Sequence, residues 1–179
     1  MSLLIQRMLR AAKLEAAFFE EVEADRSALG QAVAVVVISS LAAGLGMAGV
    51  RTPVGVLAAV FGALIGWFLW SWLTWLIGTR ILRTPETEAD YGQLLRTIGF
   101  ASAPGVLRIF GGLPLIGRLI LTVAQIWMLA AMVVAVRQAL DFRGTGRAVA
   151  VCLLGWLAQF VIELVLRFAL GGGAAGNAA

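Results

Sequence analysis

The 179-residue chain contains no histidine, a single cysteine and few charged side chains, which make up 13% of it. Without histidine it lacks the commonest metal ligand and the usual general base. Cys152 has no cysteine partner, so an internal disulfide is excluded, and we expect this thiol to pack as a small apolar group. No catalytic constellation is visible in the sequence. These absences predict a protein that is not an enzyme and that carries neither a cofactor nor a metal.

Long uncharged runs are what the chain has instead. Between Arg26 and Arg51 lie 24 consecutive uncharged residues, and between Arg51 and Arg80 lie 28. Each run exceeds the ~20 apolar residues that a helix needs to cross a bilayer. The net charge of +4 then reflects cations that flank spans and face anionic headgroups, so the expected partner is the lipid bilayer and not nucleic acid.

The pattern predicts an all-α membrane bundle of five transmembrane helices, preceded by an amphipathic N-terminal helix. The five predicted spans are 32–50, 54–81, 94–117, 115–136 and 148–170. The third is the weakest, because it contains two arginines and Pro104, which predicts a kink or a break. Ser27 is predicted to cap the first span, Thr52 with Pro53 to start the second, and Thr87 or Asp90 to start the third.

The distribution of cations predicts how the chain is oriented. With the N-terminus inside, ten Lys and Arg residues fall on the inner side and four on the outer side, which agrees with the positive-inside rule. A third segment that failed to cross would weaken this bias. The predicted units are a cytoplasmic amphipathic segment (1–30), a five-span domain (31–170) and a disordered Gly/Ala-rich tail (171–179), with the C-terminus outside the cell.

The N-terminal segment carries apolar residues at helical spacing over residues 3–22, with Arg7, Arg10 and Lys13 between them. One interpretation is an interfacial helix that buries its apolar face in the headgroup boundary and turns its cations toward phosphates. The other is a helix that packs on the cytoplasmic face of its own domain. The sequence leaves both open.

Small residues recur every four positions in the second span, at Ala58, Gly62 and Gly66. Such residues let helix backbones approach closely. The pattern predicts helix packing, either inside one chain or, as the alternative, at a seam between two copies.

Glu163 is the one acidic residue inside a predicted span, and such residues are functional candidates by default. Arg167 lies four residues further along the helix, within reach of an ion pair. The topology places Arg108, Arg118 and Gln125 on the same outer side. These five residues are a candidate intramembrane polar cluster, either structural or acting as a relay for protons or solutes.

Four segments of the chain form a recognisable pattern, residues 18–25, 78–80, 91–105 and 134–140. In these segments the chain resembles the Yip family (Ypt/Rab-interacting protein-like) of multi-pass membrane proteins, in its bacterial branch. The most specific part is the stretch Gly99-Phe100-Ala101-Ser102-Ala103-Pro104, and Asp90-Tyr91-Gly92 resembles in part the acidic-aromatic-glycine motif of eukaryotic members.

The resemblance implies five helices, a cytoplasmic N-terminus and no catalytic residues. It also implies a role related to vesicle traffic and membrane shaping, where eukaryotic relatives bind Rab GTPases. Here arginine outnumbers lysine 13 to 1 and alanine is abundant, which predicts a bacterium with GC-rich DNA. A Rab-type GTPase is therefore not an expected partner.

Two classes of function fit these observations. The first is a non-enzymatic scaffold or adaptor in a bacterial inner membrane, with other membrane proteins or a second copy as partners. The second is a small-solute or proton-coupled transporter that uses Glu163 and the helix broken at Pro104. A polar cavity at mid-membrane would favour transport, whereas a packed bundle with an exposed amphipathic first helix would favour the scaffold. An intramembrane enzyme is a third and weaker alternative.

Overall fold

The computed structural model describes residues 2–46 and 52–171, and in the last helix it describes the side chains of residues 145–162, 164 and 165. Residues 172–179 of the predicted tail (171–179) and Arg51 lie outside the described residues, and Gly171 is the last residue of the final helix. Within them the chain forms seven α-helices, a 3₁₀ turn (Arg26–Ala28), a π-helical turn (Ile77–Ile81) and a 3₁₀ segment (Ala103–Gly112). The α-helices are α1 (Leu3–Ala12), α2 (Ala16–Ala24), α3 (Leu29–Gly46), α4 (Pro53–Leu76), α5 (Tyr91–Ala101), α6 (Gly117–Ala139) and α7 (Thr145–Gly171).

Helix starts follow local capping chemistry. The Thr52 hydroxyl accepts a hydrogen bond from the Gly55 amide at 3.1 Å, and Pro53 occupies the first turn of α4, as predicted. The prediction for the first span was wrong, because the capping side chain is Asp25 and not Ser27. The Asp25 carboxylate accepts from both the amide and the hydroxyl of Ser27, at 3.0 and 2.5 Å.

Four helical stretches are long and apolar enough to cross a membrane. They are Arg26–Gly46, Pro53–Ile81, Gly117–Ala139 and Thr145–Ile162. Their outward faces carry large apolar side chains, among them Phe61 and Leu153, which are 63% and 62% exposed. Apolar residues cover the outside of these helices as well as the core, which is how a helical bundle is solvated by lipid tails.

The third predicted segment is a broken helix, in which α5 is followed by the 3₁₀ segment. Pro104 has no amide hydrogen and cannot continue an α-helical ladder. Around it the chain tightens into three-residue hydrogen bonds: the Ser102 amide donates to the Gly99 carbonyl at 3.2 Å and the Gly105 amide to the Ser102 carbonyl at 2.9 Å. The predicted break is therefore present at Pro104.

This broken helix lies in the centre of the bundle and runs alongside α3. Residues 94–101 are all buried. A Cβ added to Gly99 would lie 2.8 Å from the Ala32 Cβ, near the start of α3, and one added to Gly112 would lie 3.0 Å from the carbonyl oxygen of Gly46, at its end. Helices α4 and α6 pack against this centre, and α7 packs outside them on α4 and α6. A central helix has little contact with lipid, so it can carry the arginines that lower its hydropathy.

Candidate functional site

The docking of α2 onto the bundle forms the first candidate site. Phe18, Phe19 and Val22 are fully buried, although α2 lies outside the predicted spans. The Phe18 ring makes an edge-to-face contact with the ring of Phe100 in α5, with centroids 5.2 Å apart. We call the surface of α5 and α6 that receives α2 the α2 docking site.

A buried arginine completes the α2 docking site. Arg96, which is 6% exposed, donates from its Nε to the carbonyl of Val22 at 3.0 Å and from Nη2 to the carbonyl of Glu23. These carbonyls end α2, where backbone acceptors have no partner within the helix and where a cation is favoured by the helix dipole. Arg96 therefore acts as a cap that joins α2 to α5.

The motif Asp90-Tyr91-Gly92 has a structural role here, because it fixes the start of α5. Asp90 forms a capping box with Gln93, in which the backbone amide of Gln93 donates to the Asp90 carboxylate at 2.8 Å. The Tyr91 hydroxyl donates to the carbonyl of Phe68 in α4 at 2.8 Å. A Cβ on Gly92 would lie 3.0 Å from the Asp90 carboxylate, so this position has little room for a side chain.

Glu23 is the titratable group of the α2 docking site. Burial first, and then the carboxylate of Asp141, raise the pKa of Glu23 to about 7 against the opposing effect of the Arg96 guanidinium. Nearby, the Gln138 side chain of α6 donates to the Glu20 carboxylate at 2.6 Å. The site thus contains a carboxyl group that changes charge near neutral pH.

The cations of α1 pair with acidic residues of the same chain. Arg7, which is 9% exposed, lies 2.7 Å from the carboxylate of Asp25 and donates to the side chain of Gln31 at 3.1 Å. Arg10 lies 2.5 Å from the carboxylate of Glu21. Hydrogen bonds from Ser27 and Arg7 hold the pKa of Asp25 below its ordinary value. Arg7 and Arg10 are therefore paired within the chain while Lys13 is exposed, and the orientation of α1 toward lipid phosphates stays a prediction.

The exposed side of α1 carries uncovered apolar residues beside the polar Gln6. Leu3, Ile5 and Leu9 are 57%, 48% and 48% exposed, whereas Ala11 is fully buried against the bundle. The indole of Trp127 in α6 donates to the carbonyl at the end of α1, at 2.7 Å. The helix packs on its own domain through Leu4, Arg7, Met8 and Ala11, and it leaves Leu3, Ile5 and Leu9 exposed.

A cavity of about 240 Å³ forms the second candidate site, and we call it the Arg108 cavity. Residues from α3 to α7 line it, including the polar residues Ser39, Ser102, Arg108 and Gln159. The Arg108 side chain donates from Nε to the Gly105 carbonyl at 3.1 Å and from Nη2 to the hydroxyl and the carbonyl of Ser39, at 2.8 and 3.1 Å.

The predicted polar cluster is only partly brought together. Arg108 lines the cavity, but Arg118 and Gln125 are exposed on α6 and are not among its lining residues. The side chains of Glu163 and Arg167 lie outside the described residues. Sequence reasoning missed Gln159, although an amide in an apolar helix, four residues before Glu163, is a signal that could have indicated it.

The small-residue pattern of α4 has no close helix neighbour in the described part of the chain. Ala58, Gly62 and Gly66 are all exposed. A Cβ placed on Gly62 or Gly66 meets no atom within 4 Å. The structure thus shows no close packing at these positions within one chain, and the alternative, a seam between two copies, stays a prediction.

Chemically, neither site resembles a catalytic centre or a metal centre. Among the residues whose side chains the structure describes, no group of three or more His, Cys, Asp or Glu could hold a metal ion. What the Arg108 cavity offers is one cation among mostly apolar walls. What the α2 docking site offers is a clamp for the N-terminal segment.

Comparison with protein-family models matches residues 13–166 to the Yip1 domain. The chain belongs to the Yip1 domain family. The Yip1 domain match begins after α1 and takes in both candidate sites, from Phe18 of the α2 docking site to Gln159 of the Arg108 cavity. It confirms the family resemblance, while the bacterial branch stays a prediction. No curated protein and no solved structure matches the chain.

Proposed function

We propose that this Yip1 domain protein is a non-enzymatic scaffold or adaptor that crosses a bacterial inner membrane five times. One observation carries the proposal: α1 exposes Leu3, Ile5 and Leu9 while its arginines are paired inside the chain. In water such a face would be unfavourable, but in the headgroup boundary it buries apolar area. A bundle that docks this helix so firmly presents it as a fixed surface to the membrane and to membrane-embedded partners.

The length of the broken helix supports the proposal that the chain crosses the membrane five times. Eleven residues of α5 rise ~16 Å and ten residues of the 3₁₀ segment rise ~20 Å. Together they exceed the ~30 Å of hydrocarbon in a bilayer. This segment also follows α3 from Ala32 to Gly46, so it belongs with the helices that cross. With five crossings the N-terminus is cytoplasmic and the C-terminus is outside.

Thiol labelling tests the topology. On a Cys152→Ala background, single cysteines at Arg51 and at Ala178 should react with an impermeant maleimide only from the periplasmic side. A cysteine at Arg143, in the loop before α7, is the control and should react only from the cytoplasm. Labelling of Ala178 from the cytoplasm would exclude five crossings.

Spin labelling tests the exposed face of α1 in the full chain. A nitroxide at Leu9, on the same cysteine-free background, should be reached by oxygen dissolved in the bilayer and protected from a water-soluble nickel reagent. A nitroxide at Lys13, which is exposed and charged, should show the reverse. Equal access of the nickel reagent to both positions would contradict the membrane-facing role.

The transport alternative is favoured by one observation, the Arg108 cavity beside the broken helix. If Glu163 relays protons through this region, proteoliposomes carrying the protein should show a proton flux that Glu163→Gln abolishes. The scaffold proposal expects no difference in proton flux between the protein, the variant and protein-free vesicles.

A further inference from the structure

The Arg108 cavity holds its guanidinium at mid-depth of the bundle. Ser39, which accepts a hydrogen bond from Arg108, lies roughly 15 Å of helix rise after the start of α3 and ~10 Å before its end. In a bilayer this level is inside the hydrocarbon layer. A cation there is strongly unfavourable unless a counter-charge offsets it.

The partners that the structure gives Arg108 are neutral. They are the carbonyl of Gly105 and the carbonyl and hydroxyl of Ser39. Within the described side chains, Arg108 forms no ion pair with an acidic residue. Neutral oxygens accept the hydrogen bonds of the guanidinium, but they do not neutralise its positive charge. An anion that entered the cavity would neutralise it.

Gln159 contributes a polar side chain to the cavity, and the remaining walls are apolar or have their polar groups engaged. The indole groups of Trp67 and Trp70 already donate to a carbonyl of α5 and to the sulfur of Met132, so they present ring surface to the cavity. The hydroxyls of Ser40 and Ser102 donate to carbonyls of their own helices. The cavity therefore complements an anionic group that is attached to a hydrocarbon chain.

The mouth of the cavity lies at Gly66. This glycine lines the cavity, is itself exposed, and has free space where a side chain would be. The volume of about 240 Å³ is below the roughly 300–1,000 Å³ of pockets that enclose a whole small molecule. It suits a head group and the first part of a chain, with the rest of the chain passing out beside Gly66 into the bilayer.

We propose that the Arg108 cavity binds an anionic amphiphile taken from the bilayer. The carboxylate of a fatty acid or the phosphate of a phospholipid contacts the Arg108 guanidinium, and the acyl chain packs on Trp67 and Trp70. This site goes beyond the scaffold role and does not depend on it.

Binding of spin-labelled lipids to the full chain tests the proposal. The probes are spin-labelled stearate at alkaline pH, its uncharged methyl ester and spin-labelled phosphatidylglycerol, each added to the protein in a neutral detergent. The immobilised fraction in the electron paramagnetic resonance spectrum reports binding. At least one anionic probe should bind about tenfold or more tightly than the ester, as expected for a charge-assisted contact. Preference for stearate alone identifies a fatty acid, and preference for phosphatidylglycerol alone identifies a phospholipid.

Two pairs of variants localise the site. Arg108→Gln removes the charge and should abolish the preference for the anion, whereas Arg108→Lys keeps the charge and should retain it. Gly66→Leu should block the mouth and reduce binding of every probe. Gly62→Leu is the matched control, because Gly62 has the same free space but does not line the cavity, and it should bind as the natural chain does.

The glycine pair keeps the test decisive if Arg108→Gln does not fold. Equal binding of the anionic probes and the ester would overturn the proposal. So would an anion preference that persists in Arg108→Gln, or binding to Gly66→Leu that equals binding to Gly62→Leu.

Discussion

Truncation of Phe18 to alanine is expected to release α2 from the bundle while the membrane helices stay folded. The Phe18 ring is fully buried and contacts the rings of Phe19 and Phe100, with centroids 5.4 and 5.2 Å away. The guanidinium carbon of Arg10 lies 5.1 Å from the same ring centroid. Phe18 thus contacts both α5 and a residue near the end of α1.

The size of the effect follows from burial. Replacing a fully buried phenylalanine by alanine costs about 3–5 kcal/mol, through lost apolar contact and the cavity left behind. Each 1.4 kcal/mol is a factor of ten in an equilibrium constant, so the constant for opening of α2 should rise roughly 10²- to 4 × 10³-fold. The four candidate spans lose little, because their contacts with one another do not involve this ring.

Amide hydrogen exchange measures this opening. Exchange of residues 16–24 should accelerate by about the same factor in Phe18→Ala, since exchange follows the population of the open state when closing is fast. The matched control is Phe61→Ala, which removes a 63% exposed ring from α4 and should leave residues 16–24 unchanged. Unchanged protection of α2 in Phe18→Ala, or equal loss of protection in α4 and α6, would refute the reasoning.

Three further predictions concern packing, pH and the charge in α7. Gly99→Ala places a methyl group 2.8 Å from the Ala32 Cβ and should lower the free energy of unfolding by about 1–3 kcal/mol. Gly62→Ala has free space around it, so it should leave the free energy of unfolding unchanged or raise it by up to ~1 kcal/mol through helix propensity. Equal melting temperatures of the two variants in one detergent would disprove this. Glu23 has a pKa of about 7 when α2 is docked, so near pH 6 it holds a proton that it loses when α2 is released. Docking of α2 should therefore weaken as the pH rises from 5 toward 8. Glu23→Gln should flatten this pH dependence, measured by the exchange of residues 16–24. If the pH dependence of α2 docking persists in Glu23→Gln, another titratable group causes it. Glu163→Leu should lower the melting temperature more than Glu163→Gln, because the amide keeps hydrogen bonds to the arginine that leucine would strand, and equal losses would argue against a paired Glu163.

Much of the fold follows from local rules that the sequence already contains. The uncharged runs around Arg51 predict long apolar helices, because a span has to match the thickness of the hydrocarbon layer. Thr52 and Asp90 mark helix starts, since a short polar side chain can accept from the backbone only two or three residues away. Pro104 marks the break for an equally local reason, the missing amide hydrogen. The family pattern around Phe100 likewise lies in contiguous residues.

The candidate sites depend on contacts that no local rule contains. Arg96 caps α2 although it lies 73 and 74 residues further along the chain than the carbonyls that it binds. Arg108 donates to Ser39, which lies 69 residues before it in the sequence. Periodicity also cannot say which face of α4 meets a neighbour, and its small residues at Gly62 and Gly66 are uncovered in the described structure. In a bilayer, both the core and the lipid-facing surface favour apolar side chains. Hydropathy therefore identifies the candidate spans but does not predict how the helices are arranged in the bundle. The sequence therefore determined which segments are long and apolar enough to cross a membrane, and only the tertiary structure decided that the less hydrophobic broken helix lies at the centre, where Arg96 is buried by its neighbours.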